Sequence, residues 1–292
     1  MDRRLSTGST WPEVHCNFKI EADAQREESF VLTSKSEKLK VRVEGNTAVV
    51  TIDNPPANTW DEDNLTALEA LVADCNADKQ IYALVITGEG EKFFSAGADL
   101  NLFASGDKAV AGQMSDLFGR SFEALSQFRG VSIAAINGFA MGGGLECALA
   151  CDIRIVESQS KLALPEATVG LLPCGGGTQN LAWLVGEGWA KRMILCGERI
   201  DAATAEKIGL AEEVVEAGEA LGRALALAAD VGRQSPPAVA ACKALIQEAR
   251  GGNIDAAYAV ERAAFVDLFD TKDQAEGVNA FLEKRSPEWV NG

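Results

Sequence analysis

The stretch INGFAMGGGLECALACD, Ile136 to Asp152, decides how the chain is read. Three consecutive glycines, Gly142 to Gly144, stand directly before an apolar run that is long enough for two helical turns. A helix opened by glycines leaves its first N–H groups without side-chain cover, at the positive end of the helix dipole. Such an end suits an oxygen that carries or develops negative charge. The spacing does not complete a dinucleotide-binding G-x-G-x-x-G, because Cys147 stands where the third glycine belongs. Glu146 is the only charge among Leu145, Cys147, Ala148, Leu149 and Ala150, so its carboxyl is expected to be buried. Burial with few charged partners raises a carboxyl pKa toward neutrality, where proton transfer is useful.

Two further stretches have the same character. FFSAGADL, Phe93 to Leu100, follows a short apolar run, and its Ala96, Gly97 and Ala98 leave backbone amides open to close approach. LALPEATVGLLPCGGGTQ, Leu162 to Gln179, again holds one carboxyl, Glu166, in an apolar run, with Gly170 and Pro173 shaping the loop behind it. Glu146 and Glu166 thus form a candidate pair, each beside a glycine cluster. Two carboxyls can divide acid and base roles when their surroundings push their pKa values apart.

Around these stretches the chain alternates strands and helices. LKVRVEG and TAVVTID read as a hairpin turned at Gly45-Asn46. A helix is expected from Asp61, a buried strand over Ile81 to Thr87, a second helix over about 110 to 128 and a strand over Ser132 to Ile136. A short apolar helix over 143–150 follows, then strands at Asp152 to Val156 and Lys161 to Ala163. The fold class is α/β, with strand-strand-helix units and no sequence repeat beneath them. Three segments are expected: residues 1–36 as a flexible tail, 37–198 as the core carrying the site, and 199–292 as a helical C-terminal subdomain in which strands cease.

Composition narrows the function. Acidic residues outnumber basic ones by 43 to 27, a net charge of −16 that disfavours nucleic acid and anionic membranes as partners. The single histidine, His15, lies in a polar N-terminal stretch, so histidine triads and multi-histidine zinc sites are not expected. Seven unpatterned cysteines, without a C-x-x-C, read as buried structural thiols in a reducing cytoplasm, with no metal site. No run of about 18 apolar residues suggests a membrane span, and the N-terminus lacks a secretory apolar region.

Taken together, FSAGADL, INGFAMGGGLECALACDIRI, LPEATVGLLPCGGGTQ and the C-terminal GVNAFLEKR resemble the crotonase (enoyl-CoA hydratase/isomerase) superfamily over about residues 39 to 289. The resemblance implies a crotonase spiral of repeated ββα units with a C-terminal helical region that assembles trimers or hexamers. It implies an acyl-CoA thioester substrate whose carbonyl oxygen is held by the amides of Ala98 and Gly143. By the same resemblance Glu146 and Glu166 handle a water, with Glu166 donating a proton and Glu146 acting as base. Contacts to the substrate and its CoA are implied at Ala57, Ala96, Ala98, Asp99, Leu100, Gly142, Gly143, Pro165 and Gly170, with Phe281 and Lys284 reaching a neighbouring subunit's CoA. Asn101 stands where many relatives carry a CoA-binding lysine. No cofactor is implied, CoA being part of the substrate.

Retention of both glutamates points to reversible hydration of 2-enoyl-CoA in fatty-acid or related acyl-CoA metabolism. Two alternatives within the superfamily are an isomerase and a dehydratase that makes a cis-2-unsaturated fatty-acid signal. A third, of another class, is a non-catalytic CoA-binding scaffold.

Overall fold

The computed structural model describes residues 32–292, so the expectations on His15, on Cys16 and on most of the N-terminal tail lie outside the described residues. Order is already present at residues 32–36, inside the segment read as tail. Leu32 is buried in the core, and the Ser36 hydroxyl donates to Asp63.

The first strand pair, β1 (Leu39–Glu44) and β2 (Thr47–Ile52), is antiparallel, with Leu39 opposite Ile52. Helix α1 (Glu62–Ala77) follows, capped by Asp61, whose side chain accepts the N–H groups of Asp63 and Asn64. Three units of strand, strand and helix come next: β3 (Ala83–Gly88), β4 (Phe93–Ser95) and α2 (Lys108–Ser126); β5 (Val131–Ile136), β6 (Phe139–Met141) and α3 (Gly143–Ala150); β7 (Ile153–Glu157), β8 (Lys161–Ala163) and α4 (Gly177–Leu195), which kinks at Gly186. In each unit the first strand joins one sheet and the second joins another. This is the ββα spiral of the crotonase fold.

Two short strands lie beyond residue 199, where the sequence reading has strands cease. They are β9 (Ile200–Asp201) and β10 (Glu213–Val215), separated by α5 (Ala202–Lys207). The larger sheet runs β1-β2-β3-β5-β7-β10 and is parallel from β2 onward; the smaller runs β4-β6-β8-β9. Three-residue β10 offers no alternation to read, and its register is set by β7, with Val214 opposite Val156.

Strand β3 is buried on both faces, as a run of Ala-Leu-Val-Ile requires. Leu84 and Ile86 face the main core with α1 and α2, while Ala83 and Val85 face α6 (Ala220–Val231). Ala220, Ala224 and Ala228 recur every fourth residue on α6, so the helix backbone lies close against the sheet. Helix α6 is therefore a layer of the core, although it falls in the segment read as a separate helical subdomain. After it come α7 (Pro236–Glu248), α8 (Ile254–Asp267) and α9 (Lys272–Glu283).

The thiols divide. Cys75, Cys147 and Cys151 are buried, and burial pushes Cys75 and Cys151 up to about 12. Cys196 and Cys242 are exposed, contrary to the reading of all seven as buried. Among the described residues no group of histidine, cysteine and carboxylate side chains is arranged to hold a metal, and no helix is long and apolar enough to cross a membrane.

Candidate active site

The glycines at the start of α3 determine what meets there. Gly142 is held at φ +53 and donates its N–H to Ala163 of β8 at 2.9 Å. Gly144 lies so close to Ser95 of β4 that a Cβ would stand 2.3 Å from the Ser95 carbonyl oxygen. Gly97, at φ +91, packs against the same turn, and a Cβ there would be 2.6 Å from the Met141 oxygen and 3.0 Å from the Gly143 nitrogen. The loop after β4 and the first turn of α3 are thus pressed together. Two unengaged donors become neighbours: neither the Ala98 N–H nor the Gly143 N–H has an acceptor among the described residues.

The loop carrying Ala98 is held from the side of α1. Trp60 donates its N–H to the Gly97 oxygen at 2.8 Å, and its own carbonyl accepts the Asp99 N–H at 3.0 Å. One segment earlier, the Ala57 carbonyl accepts the Ala96 N–H at 2.9 Å. Buried Asn58 ties this loop to the Glu89 and Phe93 carbonyls through its Nδ2.

Glu146 lies one turn into α3 and is 2% exposed. Its Oε1 accepts two N–H groups, from Gly175 and Gly177, each at 2.8 Å. A side chain at Gly177 would occupy that space, with a Cβ 2.8 Å from Oε1. Burial pushes this carboxyl up to about 7, against the pull of the two N–H groups; the neighbouring Glu166 charge adds to the rise. Glu166 begins the 3-10 turn Glu166–Val169, between Pro165 and left-handed Gly170. Both its carboxylate oxygens are buried and lack a hydrogen-bond partner among the described residues. Burial raises its pKa as well. The same side chain reaches the glycine turn: Oε1 would lie 3.1 Å from a Cβ on Gly142.

Ala98, Gly143, Glu146 and Glu166 are thus brought to one place, with Ala57, Ala96, Gly142, Pro165 and Gly170 in the loops that frame them. Asp99 caps the 3-10 turn Leu100–Phe103 by accepting the Asn101 N–H, and the Asn101 amide also donates to Asp99 at 2.8 Å. Leu100 stands half exposed beside them. Phe281, 83% exposed, and Lys284, at the left-handed end of α9, lie on a helix that packs against α7 rather than against the glutamates' elements. A separate cavity of about 770 Å³, between α4 and α7, includes neither glutamate.

Several residues of the site are not legible in the sequence reading. Gly175 and Gly177 stand out in the sequence only as part of a glycine cluster, and their role as donors to Glu146 crosses 29 and 31 residues. Trp60 carries no motif. Cys174, pushed up to about 11 by burial and by both glutamates, had no signal beyond adjacency to the glycines.

A glycine-led helix, a facing amide and two buried carboxyls make up the candidate site on a ββα spiral of the crotonase class. The family model described as enoyl-CoA hydratase/isomerase matches residues 42–292, and the chain belongs to that family. A short-chain-enoyl-CoA hydratase of Clostridium acetobutylicum is 39% identical, over 84% of this chain and 94% of its own. A crotonyl-CoA hydratase of Syntrophomonas wolfei is 37% identical, over 89% and 98%. The solved structure of Pseudomonas aeruginosa DspI is 64% identical and superposes with a TM-score of 0.86, covering 90% of this chain and all of that one.

Proposed function

We propose that the chain is an enoyl-CoA hydratase, adding water reversibly across the C2–C3 double bond of 2-enoyl-CoA thioesters. The observation that carries this reading is the meeting of two unengaged N–H groups, on Ala98 and Gly143, with two buried carboxyls. The names of the relatives at 37–39% identity agree with it.

In this reaction a base takes a proton from water, the oxygen adds at C3, and the electron pair moves onto the thioester oxygen. The Ala98 and Gly143 donors hold that oxygen, and because they are fixed beforehand they favour the charged transition state over the ground state. One such donor is commonly worth about 2.7–4 kcal/mol. A proton then goes to C2. By the family resemblance Glu146 serves as the base and Glu166 as the acid; burial raises both carboxyls, so a proton can be held by the pair at neutral pH. The pair shares one proton in the working state and titrates as a unit. The reaction calls on no cofactor beyond the CoA of the substrate.

The acyl group is short, by analogy with the short-chain and crotonyl relatives. The protein works in the cytoplasm as a homo-oligomer. Free cysteines support the first statement, and the second rests on exposed Phe265, Phe269, Phe281 and Leu282 along α8, the 3-10 turn Leu268–Asp270 and α9. Loss of the enoyl-thioester absorbance of crotonyl-CoA on adding the purified chain is the expected result. An unchanged absorbance across a panel of straight and branched 2-enoyl-CoA substrates removes the proposal, and bound CoA thioester without turnover replaces it by the scaffold reading.

A further inference from the structure

Three rings connect the parts of the site. Phe118 and Phe122 lie one turn apart on α2 and meet edge to face, with centroids 5.7 Å apart; Trp60 meets Phe122 likewise at 5.6 Å. Two of the rings lie against working parts of the site, and the third residue holds a loop through its backbone. A Cβ on Gly143 would stand 2.8 Å from Phe118 Cε1, so this ring lies against the residue that supplies one oxyanion donor. A Cβ on Gly175 would stand 2.5 Å from Phe122 Cδ2 and 3.2 Å from Glu146 Oε2, so ring and carboxyl meet at that glycine. The backbone of Trp60 holds the Gly97-to-Asp99 loop, which supplies the other donor.

Burial alone does not account for Trp60. Its indole is fully buried, yet Nε1 has no acceptor among the described residues. A buried unpaired N–H costs about 1–3 kcal/mol, so a residue packed only for stability would be better served by a ring without one. Its ring edge packs against Phe122.

We propose that Phe122, wedged between Trp60 and Phe118, is the positioning residue that keeps the Glu146 carboxyl dry and in register with both oxyanion donors. Phe122 touches no reacting atom. It acts through Gly175, whose N–H holds Oε1, and through Trp60, whose backbone holds the Ala98 loop. Removing the ring lets water reach Oε2 and loosens the spacing between base and oxyanion pocket.

This inference rests on the hydratase reading, and the experiment separates the two. The pH dependence of kcat and KM for crotonyl-CoA is measured for the wild type, Phe122→Leu, Trp60→Leu, Trp60→Phe and Phe128→Leu, with thermal melting beside it. Phe128 is an equally buried ring of the same core, packed at Gly130 and Lys243 away from the glutamates, and controls for lost packing. Phe122→Leu is expected to lower kcat roughly tenfold or more with little change in KM, the signature of misplaced groups. It is also expected to move the acidic limb of the kcat profile down by about one pH unit, because a wetter carboxyl ionises more easily. Trp60→Leu shifts the limb in the same direction, and Trp60→Phe, which keeps a ring edge, shifts it less. Phe128→Leu lowers the melting temperature without moving the limb. Should Phe122→Leu melt too low to assay, Phe122→Met fills the space without a ring and reads the same quantities. A wild type that hydrates crotonyl-CoA while Phe122→Leu keeps its limb in place, as Phe128→Leu does, overturns the inference and leaves the hydratase reading standing. A wild type without hydratase turnover takes both down.

Discussion

Glu146 is held in a balance of two opposing forces. Two N–H groups on one oxygen favour its charge, and near-complete burial disfavours it more strongly, leaving the group at about 7. Replacing it with glutamine removes the proton acceptor but keeps an oxygen for Gly175 and Gly177. Turnover in Glu146→Gln, and likewise in Glu166→Gln, should fall by roughly 10²–10⁴, the usual worth of a positioned acid or base. Stopped-flow or steady-state hydration of crotonyl-CoA reads this, and near-wild-type turnover in either variant removes that residue from the mechanism. Stability gives an independent reading. A carboxyl whose folded pKa is raised above its unfolded value stabilises the fold relative to the charged state only at low pH. That contribution is complete below about 4.5 and is lost as pH rises through about 7. Glu146→Gln lacks this loss, so its stability relative to the wild type should improve between pH 4.5 and 7 by about 3 kcal/mol, an upper figure from 1.36 kcal/mol per pKa unit. Parallel denaturant curves at the two pH values test it, and a difference that is flat with pH means that the carboxyl is not buried in solution.

At the scale of elements, the oxyanion pocket is a contact between one loop and one helix end, and glycine makes the contact possible. Gly97 has a left-handed φ and a neighbour, the Met141 oxygen, where its Cβ would go. Gly97→Ala must therefore push the Ala98 loop away from Gly143. The expected result is a kcat loss of roughly 10²–10³, the cost of one oxyanion donor, with a lower melting temperature and an intact circular-dichroism spectrum. A variant with wild-type kcat places the donors elsewhere. The same elements show where sequence reading succeeds and where it stops. The bounds of α3, the isolation of Glu146 and Glu166 and the open amides after β4 follow from local pattern, because glycine runs and lone charges are local facts. The clamp on Glu146 is not local: Gly175 and Gly177 act on a residue about thirty positions earlier, and nothing in GGG distinguishes a donor from a turn. Strand β10 was unreadable for the same reason, since Glu-Val-Val becomes a strand only because β7 presents a parallel edge. Trp60 belongs to this group too. Its function depends on Gly97 and Phe122, both brought to it by the spiral.

At the scale of the whole molecule, the central strands and the last helices differ in how their apolar residues are covered. Strands β3 and β5 of the larger sheet meet helices on both faces, whereas α8, the 3-10 turn Leu268–Asp270 and α9 leave Phe265, Val266, Phe269, Phe281 and Leu282 more than half exposed. Monomers seldom leave so many large side chains bare on neighbouring turns, and a second copy of the chain is the occupant that the proposed homo-oligomer would supply. The net charge of −16 works against such association at long range, so a homo-oligomer would need its apolar contact to outweigh the repulsion. Phe281→Asp places a like charge at the most exposed of these rings and should shift the species seen by light scattering toward the monomer, more strongly at low salt. If Phe281 and Lys284 reach a neighbour's CoA, the same variant should raise KM for the CoA thioester while kcat per remaining active site changes little, because neither glutamate is touched. Lys284→Ala should raise KM without dissociating the assembly. An assembly unchanged by Phe281→Asp leaves the apolar face of α8 and α9 to a different partner, and a Lys284→Ala enzyme with unaltered KM removes Lys284 from a neighbour's CoA site.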